Sequence, residues 1–84
     1  MGKWTLLGRV VSSTYRQKIM YCLDEVQKTP KQLAKESGIN FSHISNVLRQ
    51  LQEMGVVECL TPELKKGRIY ALTKKGKKLV KEYL

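Results

Sequence analysis

The chain has 84 residues, 42% of them hydrophobic and 27% charged. That composition suits one globular domain with a modest core, and it excludes both wholesale disorder and any apolar run of the roughly 18 residues a membrane span needs. The net charge of +9 is uneven: residues 61–84 set eight basic against two acidic residues, whereas residues 1–60 set eight against five. A compact basic domain calls for a polyanionic partner, nucleic acid before an acidic membrane or protein surface.

Residues 3–11, KWTLLGRVV, put Trp4, Leu7 and Val11 on one helical face and read as a short helix, with Gly8 the weak point. Trp4 is read as a core or dimer anchor rather than a platform for stacked bases. The opening MGKWTLLGRVVSS only faintly mimics a secretory leader, because Arg9 breaks its apolar run and no cleavage signal follows. Leu6 stands where a myristoylation signal requires Ser or Thr. The chain is therefore expected to be soluble and cytoplasmic.

Ser12 and Ser13 offer a cap for the next helix, whose stripe Tyr15, Ile19, Cys22, Leu23 and Val26 carries it to about Gln27. TPKQ, from Thr29 to Gln32, is a helix start: Thr29 caps, Pro30 suits the first helical position and Gln32 completes a capping box. This short helix turns Leu33 and Ala34 inward and stops near Ser37, with Gly38 just beyond. Asn40 caps the following helix, its side chain positioned for the amides of Ser42 and His43, and Ile39 and Ile44 occupy the positions of a hydrophobic staple. The helix runs to about Met54 and ends at Gly55.

After Gly55 the period changes. VVECL and RIYAL are β-rich, and the segment between them has turn chemistry at Pro62 and Gly67, so the two read as a hairpin with a long basic tip. Thr73 caps a last helix to Leu84, with Leu79, Val80 and Tyr83 inward. Lys74, Lys75, Lys77, Lys78 and Lys81 crowd its other side, either as a solvated face or as backbone contacts to a nucleic acid.

The helix from residue 41 to 54 holds the most informative face. At about 100° per residue, Phe41, Ile44, Val47, Leu48, Leu51 and Met54 share one arc, read as core. Opposite lie Ser42, Asn46, Arg49 and Glu53, with Ser45 on one flank and His43 and Gln50 on the other. Short hydrogen-bonding groups fill the first two turns and a guanidinium follows. Such a face can approach a surface closely, pair Asn with adenine and fork Arg onto guanine or phosphate.

A short helix, a turn with Gly, a second helix and then a basic hairpin make a helix–turn–helix with a wing. The pieces LAKESGIN, SHISNVLRQL, MGVVE and KKGRIYALTKKG resemble the winged helix–turn–helix of small archaeal and bacterial transcriptional regulators, those related to the multiple-antibiotic-resistance (MarR-like) and arsenical-resistance (ArsR-like) repressor families. The likeness covers residues 12–84 well and 1–11 less so. It implies an α+β, mainly helical fold: a three-helix core, a two-stranded β-hairpin wing and a C-terminal helix. The chain would be one winged-helix DNA-binding domain, with an N-terminal extension at 1–11, the helix–turn–helix at 29–54, the wing at 56–72 and the last helix at 73–84.

The resemblance further implies a recognition helix at 41–54 that turns Ser42, His43, Ser45, Asn46 and Arg49 toward the major groove of double-stranded DNA. Lys65, Lys66 and Arg68 would then sit at the wing tip near the minor groove or backbone, and Lys31 near a phosphate. Phe41 departs from the pattern, since many relatives carry a polar residue there; it is read as a core or staple residue, which removes one base contact. A two-fold dimer would use the N-terminal segment and the last helix, around Trp4, Leu7, Tyr83 and Leu84. The other reading from a different class is a winged-helix protein-interaction module of a transcription or replication assembly. RNA ranks third, because few exposed aromatics are available to stack single-stranded bases.

Neither a cofactor nor a metal is expected. Cys22 and Cys59 lack CxxC spacing and read as reduced, buried thiols, and His43 is the only histidine. The cysteine-rich metal segment of the arsenical-resistance repressors is missing from the recognition region, and no effector pocket carries over. With one Asp, one His and no phosphate-binding glycine loop, catalysis is not expected.

Overall fold

The computed structural model describes residues 8–10 and 12–84. Residues 8–10 are helical and Val10 is fully buried; Trp4, Leu7 and Val11 lie outside the described residues. Four helices follow, α1 (Thr14–Cys22), α2 (Pro30–Ser37), α3 (Phe41–Glu53) and α4 (Lys74–Tyr83), with β1 (Val57–Cys59) and β2 (Tyr70–Leu72) between α3 and α4.

Each of these helices begins where a side chain closes its first turn. Ser13 accepts from the Arg16 amide, and Thr73 accepts from the Gly76 amide at 3.1 Å. Thr29 and Gln32 form the full reciprocal box, the Gln32 amide reaching Thr29 Oγ1 and the Thr29 amide reaching Gln32 Oε1 at 2.9 Å. Asn40 Oδ1 accepts from the Ser42 amide at 3.1 Å, while the His43 amide donates instead to the Asn40 carbonyl. These bonds satisfy amides that have no partner inside the helix. Gly38 ends α2 at φ 75°, a left-handed turn that favours a residue without Cβ.

The core is one cluster. Ile19, Met20 and Leu23 come from α1 and its end, Leu33 from α2, Ile39 from the turn, and Ile44, Val47, Leu48 and Leu51 from α3. Val56, Val57, Tyr70, Leu72, Leu79 and Val80 close it from the hairpin and α4. The strands are antiparallel, in the register Val57↔Leu72, Glu58↔Ala71 and Cys59↔Tyr70. The other edge of β2 is bridged by Lys28: the Lys28 amide donates to the Tyr70 carbonyl at 3.0 Å, and the Tyr70 amide to the Lys28 carbonyl at 2.8 Å. The hairpin root is thus tied to the connection between α1 and α2.

That bridge corrects the expected extent of α1. The helix stops at Cys22 rather than near Gln27, and the chain turns through Glu25 at φ 61° so that Lys28 can meet β2. Two members of the expected stripe lie outside the core, Val26 because the helix ends before it is reached. Val26, beyond the helix, is 52% exposed, and Tyr15 is 42% exposed, while Met20 is buried in their stead. Phe41 is a third correction: it is 55% exposed, because Ile39 and Ile44 already fill the space beneath the first turn of α3.

Candidate nucleic-acid interface

The helix–turn–helix consists of α2, the turn through Gly38 and Asn40, and α3. The buried stripe Ile44, Val47, Leu48 and Leu51 holds α3 against the body and leaves Ser42, His43, Ser45, Asn46 and Arg49 exposed on its outer surface. These residues divide into three rows. The α1 side carries His43, whose ring centroid lies 5.9 Å from that of Tyr15, and Gln50, whose Oε1 accepts from Arg16 Nε at 3.1 Å. The centre carries Ser42, Asn46 and Arg49, with Arg49 donating to Asn46 Oδ1 at 2.8 Å. The Ser42 hydroxyl donates back to the capping Asn40 at 3.1 Å. Phe41 and Ser45 form the wing side.

On that wing side an open groove of about 600 Å³ separates α3 from the hairpin. Phe41 and Ser45 line one wall, Thr29, Pro30 and Lys31 the end at the start of α2, and Lys65, Lys66, Gly67 and Arg68 the wall formed by the wing. The buried Tyr70 contributes at the root. The groove therefore gathers four of the expected contact residues, Lys31, Lys65, Lys66 and Arg68, beside Ser45. Ser42, His43, Asn46 and Arg49 lie outside it, on the central and α1-side rows of α3.

The wing tip is shaped by local hydrogen bonds. The Leu64 amide donates to the Thr61 carbonyl at 3.1 Å, Gly67 turns at φ 67°, and Arg68 Nε donates to the Leu64 carbonyl. Arg68 is thus held against the wing's own backbone. Lys65 and Lys66 project from an exposed tip, and neither has a hydrogen-bond or ion-pair partner among the described residues. Lys28, by contrast, pairs with Glu36 at 2.6 Å, so its charge is partly answered within the fold. In α4, Lys77 and Lys81 line a different recess, beside Asp24 and Glu25 of the α1–α2 connection.

Phe41 is the groove residue that periodicity assigned to the core. The available signal was its place: it is the first residue of the helix, at the end of the apolar arc, where the body below is already filled by the staple. Cys22 and Cys59 are free and half-buried, and burial pushes the Cys22 thiol up from its ordinary value. Among the described residues no group of three His, Cys, Asp or Glu could hold a metal ion, and no helix is long and apolar enough to cross a membrane.

The fold has solved counterparts. The transcriptional repressor BigR from Xylella fastidiosa superposes with a TM-score of 0.79 at 28% identity, over 94% of this chain and 80% of that one. NadR, solved in complex with 4-hydroxyphenylacetate, superposes with a TM-score of 0.75 at 25% identity over 93% of this chain; the present chain spans 57% of its length. A homodimeric winged helix–turn–helix DNA-binding domain from Mycobacterium bovis shares the fold at 19% identity and a TM-score of 0.76, over 92% of this chain and 70% of that one. No curated protein matches in sequence. The family profile described as bacterial regulatory protein, arsR family, matches residues 14–58, which run from the start of α1 through the helix–turn–helix into β1. With that profile spanning the region that presents α3, and a winged helix around it, the chain belongs to the arsR family of bacterial regulatory proteins and has the fold of a DNA-binding transcriptional regulator.

Proposed function

We propose that this chain is a single-domain, sequence-preferring transcriptional regulator that lays α3 in the major groove of double-stranded DNA and runs its wing along the backbone or minor groove. The observation that carries this reading is the open groove in which Ser45 of α3 faces Lys31 and the wing cations Lys65, Lys66 and Arg68. Cations on two separate elements line the groove beside a helix whose outer face is short and polar, a layout suited to gripping a polyanionic duplex. In this reading Ser42, His43, Ser45, Asn46 and Arg49 meet base edges or nearby phosphates. Asn46 and Arg49 are the base readers, because amide and guanidinium groups pair bidentately with adenine and guanine. Lys31, Lys65, Lys66 and Arg68 set the register through phosphates.

One α3 covers only a few base pairs, so the working unit is a homodimer reading two half-sites about one or more helical turns, ~10 bp each, apart. The homodimeric state of the Mycobacterium bovis domain supports this pairing. A DNA target implies action in the cytoplasm.

The test is titration of duplex DNA, including genomic fragments, at several salt concentrations. The expected result is binding whose logarithm falls linearly with the logarithm of salt, with a preference for some fragments. Absence of salt-sensitive binding to any duplex refutes the reading. A complex with a protein partner that survives nuclease, formed by a chain that ignores DNA, would establish the interaction-module alternative instead.

A further inference from the structure

We infer that Phe41 is a specificity residue that reads the C5 position of a pyrimidine, packing its ring against the methyl group of thymine or 5-methylcytosine. The inference rests on the reading of α3 as a major-groove helix and adds to it a contact of a different chemistry.

The first observation is exposure. Phe41 is 55% exposed although it lies on the apolar arc of α3. The space beneath the first turn is taken by Ile39 and Ile44, which are 4% and 0% exposed, so Phe41 is not needed to fill the core. The second observation is position. Phe41 is the first residue of α3, directly after the capping Asn40, and Ser45 one turn on shares its wall of the groove. A recognition helix meets base edges with its N-terminal residues. The third is the company of the ring: Lys31 at one end and Lys65, Lys66 and Arg68 across the groove. That ring of positive charge selects a polyanion as the occupant and disfavours an apolar protein segment or a second copy of this basic chain.

Within a duplex the choice narrows further. Every base edge in the major groove offers hydrogen-bond donors or acceptors, and the one apolar group is the C5-methyl of thymine, or of cytosine once methylated. A phenyl ring at a base edge has no donor or acceptor to offer. Against an unmethylated edge it would strip water from polar groups without replacing it, whereas against a methyl group it buries apolar surface on both partners. The ring therefore discriminates at a position where Asn46 and Arg49 do not act.

The probes are duplexes recovered by the wild-type chain from a randomised library. Each thymine is replaced singly by deoxyuridine, which deletes the methyl group and keeps the pairing, and each cytosine by 5-methylcytosine. In at least one position per half-site, loss of the methyl should weaken wild-type binding about fourfold, the effect of burying one such group. Phe41→Ala should bind the thymine site more weakly and be indifferent to deoxyuridine at that position, and Phe41→Leu should keep part of the sensitivity. Wild-type indifference to the methyl group at every position overturns the inference. So does undiminished methyl sensitivity in Phe41→Ala, shown to be folded by its helical circular dichroism. Failure of the wild-type chain to bind any duplex would remove the major-groove reading itself, a result distinct from methyl indifference, and the inference would fall with it.

Discussion

Replacing Gly76 with Ala tests how closely α4 is seated against the root of the wing. Gly76 is buried in the first turn of α4. A Cβ built there overlaps the carbonyl oxygen of Val56 and lies 3.0 Å from its carbonyl carbon and 3.3 Å from Leu72 Cδ2. The carbon–carbon distance is about 0.5–1 Å short of a comfortable separation. The obstacle is backbone and not a flexible side chain. It is also held in place, because the Thr73 amide donates to that same Val56 carbonyl at 3.0 Å and the Thr73 hydroxyl donates to the Gly55 carbonyl at 2.7 Å. Relief therefore requires α4 to lift, which strains these hydrogen bonds.

Overpacking of this kind costs about 1–3 kcal/mol, and each hydrogen bond broken adds about 1 kcal/mol. Alanine returns about 1 kcal/mol through its better helix propensity. The net expectation is a destabilisation of about 2 kcal/mol, or roughly 8–16 °C in Tm for a domain of this size. Thermal melts and urea titrations followed by circular dichroism measure it. Gly8→Ala is the control: Gly8 is helical and exposed, and a Cβ there meets nothing within 4 Å among the described residues, so this change should be neutral or mildly stabilising. A Gly76→Ala chain as stable as wild type would refute the reasoning.

Asn46→Ala and Arg49→Ala should each cost about 1–3 kcal/mol on a selected site and much less on random duplex. Because the two side chains are hydrogen-bonded to each other, a double-mutant cycle in the same titration should show effects that do not add; equal weakening on all sequences would assign the helix a positioning role only. Removing Lys65 and Lys66 should weaken selected and random duplexes alike and lower the salt slope by about 0.9 for each phosphate no longer neutralised; an unchanged slope would place the wing off the DNA. Burial raises the Cys22 thiol pKa, so a smaller fraction is thiolate in the folded chain at pH 8 and iodoacetamide should modify it more slowly there than in the urea-unfolded chain; equal rates would contradict that environment.

The helix starts were legible because capping is local. Thr29 and Gln32, or Asn40 and Ser42, need only each other and a few residues of backbone, so the motif is visible wherever the spacing occurs. The end of α1 was not legible for the converse reason. Val26 continues the helical period of Ile19 and Cys22, but Lys28 is drawn into pairing with Tyr70, a partner 42 residues away that no local pattern announces. Phe41 shows the same limit on α3. Periodicity reports the direction in which a side chain points, not whether the body extends far enough to cover it, and at the first turn of α3 it does not. The polar rows of α3 and the wing cations could be named from spacing and charge. Their meeting across one groove depended on how the hairpin folds back beside α2.

The double tie of β2, to Cys59 on one edge and to Lys28 on the other, has a consequence for how such a chain can change over generations. The Leu60 amide donates to the Ile69 carbonyl at 2.7 Å, so the tip between them is a closed loop anchored at its base. Lengthening a loop whose ends are already held costs little, about 0.6 kcal/mol for each doubling. Insertions and deletions in residues 61–68 can therefore alter the reach and charge of the wing while the helices that carry α3 keep their packing. The fold separates a part that must be preserved from a part that is free to vary, and the boundary runs through Leu60 and Ile69.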